Sequence, residues 1–357
     1  MRVLMTADTV GGVWTYSMDL ARALAPHGIE FVIATMGEPA TRDQRAEAAA
    51  LENVRLVESN FRLEWMDDPW TDVDRAGDWL LALASQTSPD LVHLNGYAHA
   101  VLPWSAPRLV VAHSCVFSWW RAVHDAEPPP EWSMYFERVR AGLEAAGLLI
   151  APSWAMLDAI RSTYGLEIAG RVIHNARSGG FRERAKEPFI LSAGRLWDEA
   201  KNVALLTRVA PALAWPVRVA GDHKGREASV SNVEWLGRLD GAELAAQYAR
   251  ASIYCLPARY EPFGLTILEA ALSRCALVLG DIASLREMWD GAALFVPPSD
   301  EAALRGALTQ LIEDEPRRIA LADAAVRRAD MFSPQTLARQ YLSAYRELAR
   351  VEAEVYA

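Results

Sequence analysis

The chain has 357 residues, 52% of them hydrophobic and 23% charged, which is enough apolar material for two packed domains and too much for a disordered chain. A formal net charge of −10 runs against the basic footprint of a nucleic-acid binder or of a broadly membrane-attracted surface. Its cations are 33 Arg against three Lys (Lys186, Lys201 and Lys224), so each lysine stands out from the local habit.

The opening MRVLMTAD leads straight into a strand without a charged-then-apolar leader, and no apolar run approaches the ~18 residues of a membrane span. Cys115, Cys255 and Cys275 form no CxxC pair and read as buried free thiols in a reducing compartment. A cytoplasmic protein is the expectation.

Short β-branched runs then alternate with longer periodic segments. Strands are expected at 2–6, 31–35, 54–57, 91–94, 109–113 and 148–151. The segment VWTYSMDLARALAPHG after the first strand reads as a helix with a Gly stop, placing Leu20 and Leu24 on one face. The series restarts with strands at 188–194, 217–221, 233–237, 253–257, 276–280 and 293–296, after a polar, Gly-containing linker at 177–187. From about residue 299 the text is helical, and its last helix begins at a Ser333–Pro334 cap. The alternation predicts an α/β chain of two doubly wound parallel-sheet domains. Ligands of such sheets sit at the carboxyl ends of the strands, so the strand-to-helix loops are where chemistry is sought.

Four loops qualify. In ADTVGGVWTY, Gly11 and Gly12 open a helix whose N–H groups could face a polar or anionic ligand, although a plain Gly-rich turn reads equally well. The pattern is not GxGxxG and no acidic residue closes strand two, which disfavours a nicotinamide cofactor. In VVAHSCVFSWW, His113 ends a strand; a satisfied core histidine is the competing reading, and His93 and His99 are rival candidates. No histidine has metal-ligand spacing. In SAGRLWDEAKN, Arg195 and Lys201 suit a diphosphate, the first as a bidentate fork and the second as a movable point charge; solvated surface cations are the alternative. In ARYEPFGLTILEAALSRC, Pro262 and Gly264 shape a turn and a helix starts at Leu265. The free N–H groups of Gly264, Leu265 and Thr266 make an anion-binding terminus, flanked by the hydroxyl-accepting carboxylates of Glu261 and Glu269.

EPFGLTILE, with GRLWDEAKN before it, WLGRLD between and DIASLREMWDGAALFVPPSD after, resembles the family-4 retaining glycosyltransferases of the GT-B fold. The likeness covers essentially all of the second domain and is thinner in the first, where it rests on the Gly11–Gly12 loop and His113. The resemblance implies two Rossmann-like domains facing across a cleft. Residues 1–180 would form the acceptor-binding domain, joined by a returning C-terminal helix at 336–357, and residues 181–335 the nucleotide-sugar donor domain. It further implies Glu261 on the donor sugar, Glu269 on the ribose and Arg195 and Lys201 on the diphosphate. His113 would lie near the transferred sugar and Gly12 beside the diphosphate and acceptor. The Leu236–Gly237–Arg238 turn would lie against the base, and Phe263, Gly264, Leu265 and Thr266 would border the donor. His113, Arg195, Lys201 and Glu261 are the expected catalytic set.

Three features depart from the family pattern. The Arg195-to-Lys201 spacing is one residue longer than the commonest form, Ser114 follows His113 where many relatives carry an acid, and Ser273–Arg274 stands where a small Gly is frequent.

The activity implied is retaining hexosyl transfer from a nucleotide-diphosphate sugar, in polysaccharide biosynthesis, with no metal or other cofactor. Asp72-Val73-Asp74 mimics the metal-binding DxD of other glycosyltransferases, but no apolar strand feeds it and it reads as a charge cluster opening a helix. Arg195, Lys201 and the helix start at 264–266 would take the metal's place. Another GT-B enzyme (a sugar-nucleotide epimerase or a phosphorylase) and a non-catalytic nucleotide-sugar-binding module are the alternatives. Lys186 and Lys224 lack the context of a phosphorylase's cofactor lysine.

The acceptor stays open among saccharide, lipid-linked and small-molecule classes. Nine of the 13 Trp precede residue 160, including Trp119, Trp120 and Trp132. They suit sugar stacking, helix packing or a peripheral contact at the inner membrane face. No nucleic-acid partner is expected, and the chain is expected to act as a monomer or homodimer.

Overall fold

The computed structural model describes residues 1–181, 184–222 and 229–355. The chain divides into two compact units: Met1–Arg121 with Ala126–Ser178 and Pro334–Ala357, and Gly179–Ser333 with Ala122–Asp125.

The first unit is built on seven parallel strands: β1 (Arg2–Asp8), β2 (Glu30–Met36), β3 (Val54–Glu58), β4 (Leu91–Leu94), β5 (Arg108–Val111), β6 (Leu148–Ala151) and β7 (Gly170–Val172). Their order is β3-β2-β1-β4-β5-β6-β7, which doubles back at β1 as a doubly wound sheet must. Strands buried on both faces cannot alternate polar with apolar residues. Accordingly Val3, Leu4 and Met5 are all fully buried. The helix Gly12–Leu24 lays Leu20, Ala21 and Leu24 on this sheet. Each large side chain so buried contributes roughly 1.5–3 kcal/mol. The helix Pro334–Val355 joins the same core through Leu337, Tyr341 and Tyr345. The C-terminal segment thus folds as part of the first unit.

The second unit has six parallel strands: β8 (Glu187–Ala193), β9 (Val217–Ala220), β10 (Val233–Gly237), β11 (Ala251–Leu256), β12 (Ala276–Gly280) and β13 (Ala293–Val296). Their order is β10-β9-β8-β11-β12-β13. Two apolar clusters cover its faces. Tyr254, Leu256, Leu277 and Leu279 belong to one, and Ile253, Cys255, Ala276 and Val278 to the other, so neighbours along a strand enter opposite layers. Cys115, Cys255 and Cys275 are buried thiols, none of them in a disulfide.

Two details differ from the sequence expectation. β5 ends at Val111, so His113 is not a strand residue but lies two positions into the loop. The three-residue β7 had no signal, because Gly-Arg-Val carries too few apolar residues to show a period.

Candidate active site

In the second unit, the carboxyl ends of β8, β9 and β10 are pressed together. A Cβ at Gly221 would lie 1.9 Å from the Gly194 carbonyl oxygen, so only glycine fits there. The Gly221 N–H donates to the Gly237 carbonyl at 2.8 Å, tying the loops after the three strands into one layer. Arg238 follows, exposed on the surface.

Asp198 organises the loop after β8. One carboxylate oxygen accepts the Ala200 N–H at 3.1 Å and the other accepts Arg195 Nη2 at 3.0 Å. The Arg195 guanidinium also sits 5.4 Å from the Trp197 ring centre, and 40% of its side chain stays exposed. Asn202 closes the loop in the left-handed region (φ 53°), with Nδ2 donating to the Pro257 and Pro298 carbonyls at 2.8 Å each. The Arg259 N–H donates to the Ala200 carbonyl at 2.8 Å and stitches this loop to the one after β11.

Across that stitch, Lys201 Nζ donates to Glu261 Oε2 at 2.5 Å. The two side chains are only 14% and 11% exposed, which strengthens their attraction over that of a surface pair. The Glu261 main chain is held too, its carbonyl accepting the Ser284 hydroxyl at 2.6 Å.

Next comes the helix Leu265–Leu272. Gly264 precedes it at φ +88°, and a Cβ there would lie 2.6 Å from Ile267 Cδ1 and 3.3 Å from Glu261 Cγ. Glycine therefore lets the helix start directly against Glu261. The N–H groups of Leu265 and Thr266 lie in the first turn and have no acceptor inside the helix. The Thr266 hydroxyl is 2.8 Å from that of Tyr254, which also reaches the Ala193 carbonyl at 3.1 Å, linking the helix start to the end of β8. Glu269 is buried one turn further on. Tyr248 titrates well above the usual tyrosine range, first because it is buried and then because the Glu269 carboxylate is beside it. The Phe263 side chain lies in the core at right angles to Phe332, 5.5 Å between centres, so only its main chain could meet a ligand.

In the first unit, Gly11 caps the helix Gly12–Leu24 and both glycines are exposed. The His113 Nε2 is 2.8 Å from Asn95 Oδ1, and its ring packs edge-on to Tyr16 with centres 4.5 Å apart. Burial pushes its pKa down from 6.5 to about 3, so the ring is neutral at pH 7. His93 is fully buried between the Tyr16 and Tyr345 hydroxyls at 3.2 and 2.7 Å, and His99 is buried against the Val73 carbonyl at 2.9 Å. Both are core histidines.

Asp72 and Asp74 lie near the start of the helix Trp70–Thr87 and face different partners. Asp72 accepts the Arg62 N–H at 3.1 Å, whereas Asp74 forms a fork with Arg138 at 2.9 and 3.2 Å. No three His, Cys, Asp or Glu side chains converge on a metal-sized space among the described residues. Lys186 Nζ donates to the Ser273 carbonyl at 2.6 Å, placing its charge at the C-terminal end of the Leu265–Leu272 helix. Lys224 lies outside the described residues. Trp119 and Trp120 meet edge to face at 6.0 Å, Trp132 packs on Tyr135 at 5.8 Å, and Trp154 is 54% exposed.

The profile of Glycosyltransferase Family 4 matches residues 10–177, and that of Glycosyl transferases group 1 matches residues 187–314. The chain belongs to the family-4 glycosyltransferases. This glycosyltransferase is 26% identical to the glycogen synthase of Mycobacterium tuberculosis across 99% of its own length and 96% of that protein's. It is 27% identical to the O-antigen chain mannosyltransferase B of Escherichia coli, over 46% of this chain but only 39% of that protein. Its fold is similar to that of the sucrose-phosphate synthase of Thermosynechococcus elongatus (TM-score 0.82, 17% identity, 98% of this chain and 100% of that one). It is also similar to Anabaena HepE, solved with UDP-glucose (TM-score 0.75, 16% identity, 97% of this chain and 100% of that one). The glycosyltransferase therefore has the GT-B fold.

The departure at Ser273–Arg274 has a structural account in this glycosyltransferase. Arg274 adopts φ +59°, a conformation glycine takes more cheaply, and ion-pairs with Asp323 at 2.6 Å. Sequence reasoning missed Asp198, Asn202, Ser284 and Asn95, which hold Arg195, its loop, Glu261 and His113. Asp198 and Asn202 carried a faint signal as Asp and Asn beside the cations. The other two carried none.

Of the candidate residues, Lys201 reaches Glu261, Gly264 lies directly against Glu261, and Gly237 is tied to the loop after β8 through Gly221. Gly11, Gly12 and His113 belong to the other unit.

Proposed function

We propose that this glycosyltransferase moves a hexosyl group from a nucleoside-diphosphate sugar to a saccharide, lipid-linked or small-molecule acceptor, retaining the anomeric configuration and using no metal. The Lys201–Glu261 contact beside the open start of the Leu265–Leu272 helix carries this reading. A cation, helix-start N–H groups with no acceptor inside the helix, and Arg195 suit two phosphates, and a carboxylate next to them suits sugar hydroxyls. The UDP-glucose bound by the similarly folded HepE supports the donor class.

As the sugar–phosphate bond breaks, negative charge gathers on the leaving diphosphate. Arg195, Lys201 and the Leu265 and Thr266 N–H groups stabilise it, each such donor contributing roughly 2.7–4 kcal/mol. A leaving phosphate oxygen accepts the proton of the acceptor hydroxyl while the acceptor's own oxygen bonds to the anomeric carbon from the face the diphosphate is leaving. Glu261, already paired with Lys201, orients sugar hydroxyls and Glu269 those of the ribose.

Thermal shift with UDP, GDP and ADP identifies the nucleotide, and nucleotide release from the matching sugar donor is then followed in excess chelator. Undiminished release is expected. Loss of release that added divalent metal restores would overturn the metal-free reading.

A further inference from the structure

His113 is held by a group that accepts a hydrogen bond from it and so fits only one tautomer of the neutral imidazole. Asn95 Nδ2 donates to the Thr6 carbonyl at 2.6 Å and lies 3.5 Å from Ser17 Oγ, while the Asn95 N–H donates to Thr6 Oγ1 at 2.9 Å. A carbonyl can only accept, so the amide nitrogen must point at Thr6 and the amide oxygen at His113. That oxygen also only accepts. The proton on the imidazole is therefore on Nε2, 2.8 Å from Asn95 Oδ1, and neutral His113 keeps its lone pair on Nδ1. Among the described residues Nδ1 has no hydrogen-bond partner.

The surrounding groups fix this arrangement. Tyr16 packs edge-on to the ring, and its hydroxyl is turned away to Tyr341 and His93 at 2.5 and 3.2 Å. The Tyr97 hydroxyl donates to the Ser114 carbonyl at 2.8 Å, pinning the residue after His113. The Tyr97 and Ala98 N–H groups are in turn held by Glu64 at 3.1 and 2.8 Å. Among the described residues, the titratable groups facing the ring are Tyr16 and His93, both buried, and no carboxylate is among them.

We propose that Asn95 is a positioning residue that locks His113 in the Nε2–H tautomer, so that Nδ1 serves only as an acceptor for a substrate hydroxyl. The proposal rests on the reading of His113 as the residue near the transferred sugar. A neutral acceptor there selects a hydroxyl and rejects a sugar carrying oxo or fluoro in its place.

The tautomer is read without any donor, by long-range proton–nitrogen correlation on protein labelled with 15N-histidine, using His113→Gln to assign the resonance. At pH 7 the expected pattern is protonated Nε2 and bare Nδ1. A protonated Nδ1 overturns the proposal. Nucleotide release is then measured with UDP-glucose, ADP-glucose and GDP-mannose as probes, and the fastest is used for the variants. Asn95→Leu is expected to lower kcat/KM about 10-fold or more, with melting confirming the fold. Asn95→Asp places a carboxylate against Nε2–H and raises the imidazole pKa. Its activity should fall as pH drops from roughly 8 to 5, where a doubly protonated ring has lost its acceptor, while the wild-type profile over that range owes nothing to His113. Wild-type kcat/KM in His113→Ala would sink the reading of His113 itself. A slow His113→Ala beside an Asn95→Asp with unchanged tautomer and pH profile would sink the positioning role alone.

Discussion

Lys201 Nζ and Glu261 Oε2 meet at 2.5 Å although 60 residues separate them in the chain, and both side chains are nearly buried. A pair with so little water around it has two separable roles, stability of the loops and charge for the chemistry. Removing one partner leaves the other buried and uncompensated, which costs about 3–5 kcal/mol, whereas removing both costs far less. Lys201→Met is therefore expected to lose about 3 kcal/mol in urea denaturation, and Lys201→Met with Glu261→Gln to recover most of it. Turnover should stay down about 100-fold or more in both. A double variant as unstable as the single one would show that the pair does not hold the loops.

Gly264 has a positive φ and no room for a methyl group beside Ile267. Gly264→Ala must shift the helix start or strain the backbone by roughly 1–3 kcal/mol. The Leu265 and Thr266 N–H groups move with it. Donor affinity, followed by nucleotide thermal shift, is expected to weaken more than the melting point does. Unchanged nucleotide binding would remove the helix start from the proposed donor site.

Tyr345 supplies the hydroxyl at 2.7 Å from His93 Nδ1, inside the core of the first unit. Tyr345→Phe keeps the ring and leaves a buried nitrogen without its partner. A loss of about 1–3 kcal/mol is expected in urea denaturation, which is large for the deletion of one oxygen. An unchanged midpoint would show that His93 finds another partner.

His93 also makes stability depend on pH. Burial, and after it the neighbouring His113, push its pKa down from 6.5 to about 3. Between those values the unfolded chain binds a proton that the folded one refuses, so this contribution is complete above pH 6.5 and is lost as the pH falls toward 3. The slope is about 1.4 kcal/mol per pH unit for the one group. Going from about pH 7 to 5, His93→Gln is expected to lose about 2 kcal/mol less stability than the wild type does. Equal losses in the two proteins would mean that His93 is not the neutral group.

Much of this was legible in the residues themselves. Strand positions such as Val3–Met5 and Leu277–Leu279 announce themselves because a strand covered on both faces is continuously apolar, and the Gly-Pro-rich breaks mark the loops between. The EPFG turn and its two glutamates were visible for the same local reason: a helix start needs its capping geometry within a few residues. β7 escaped because three residues carry no period, and His113 was placed on a strand because Ala112 extends the apolar run past the last ladder bond at Val111.

Partnership across the chain was not legible in this way. Nothing in LVHLN states that Asn95 will turn its amide oxygen to a histidine 18 residues on, or that His93 will meet a tyrosine 252 residues away. By itself the sequence determined which residues are chemically able to hold phosphates and hydroxyls, and that they lie on strand-to-helix loops, because residue type and local periodicity are short-range properties. Which of them are paired, which way an amide faces and which histidine keeps a free lone pair were decided only by the tertiary structure. Hydrogen bonds are made between whatever groups the packed sheets bring within 3 Å or so, and packing is a long-range property of the whole chain.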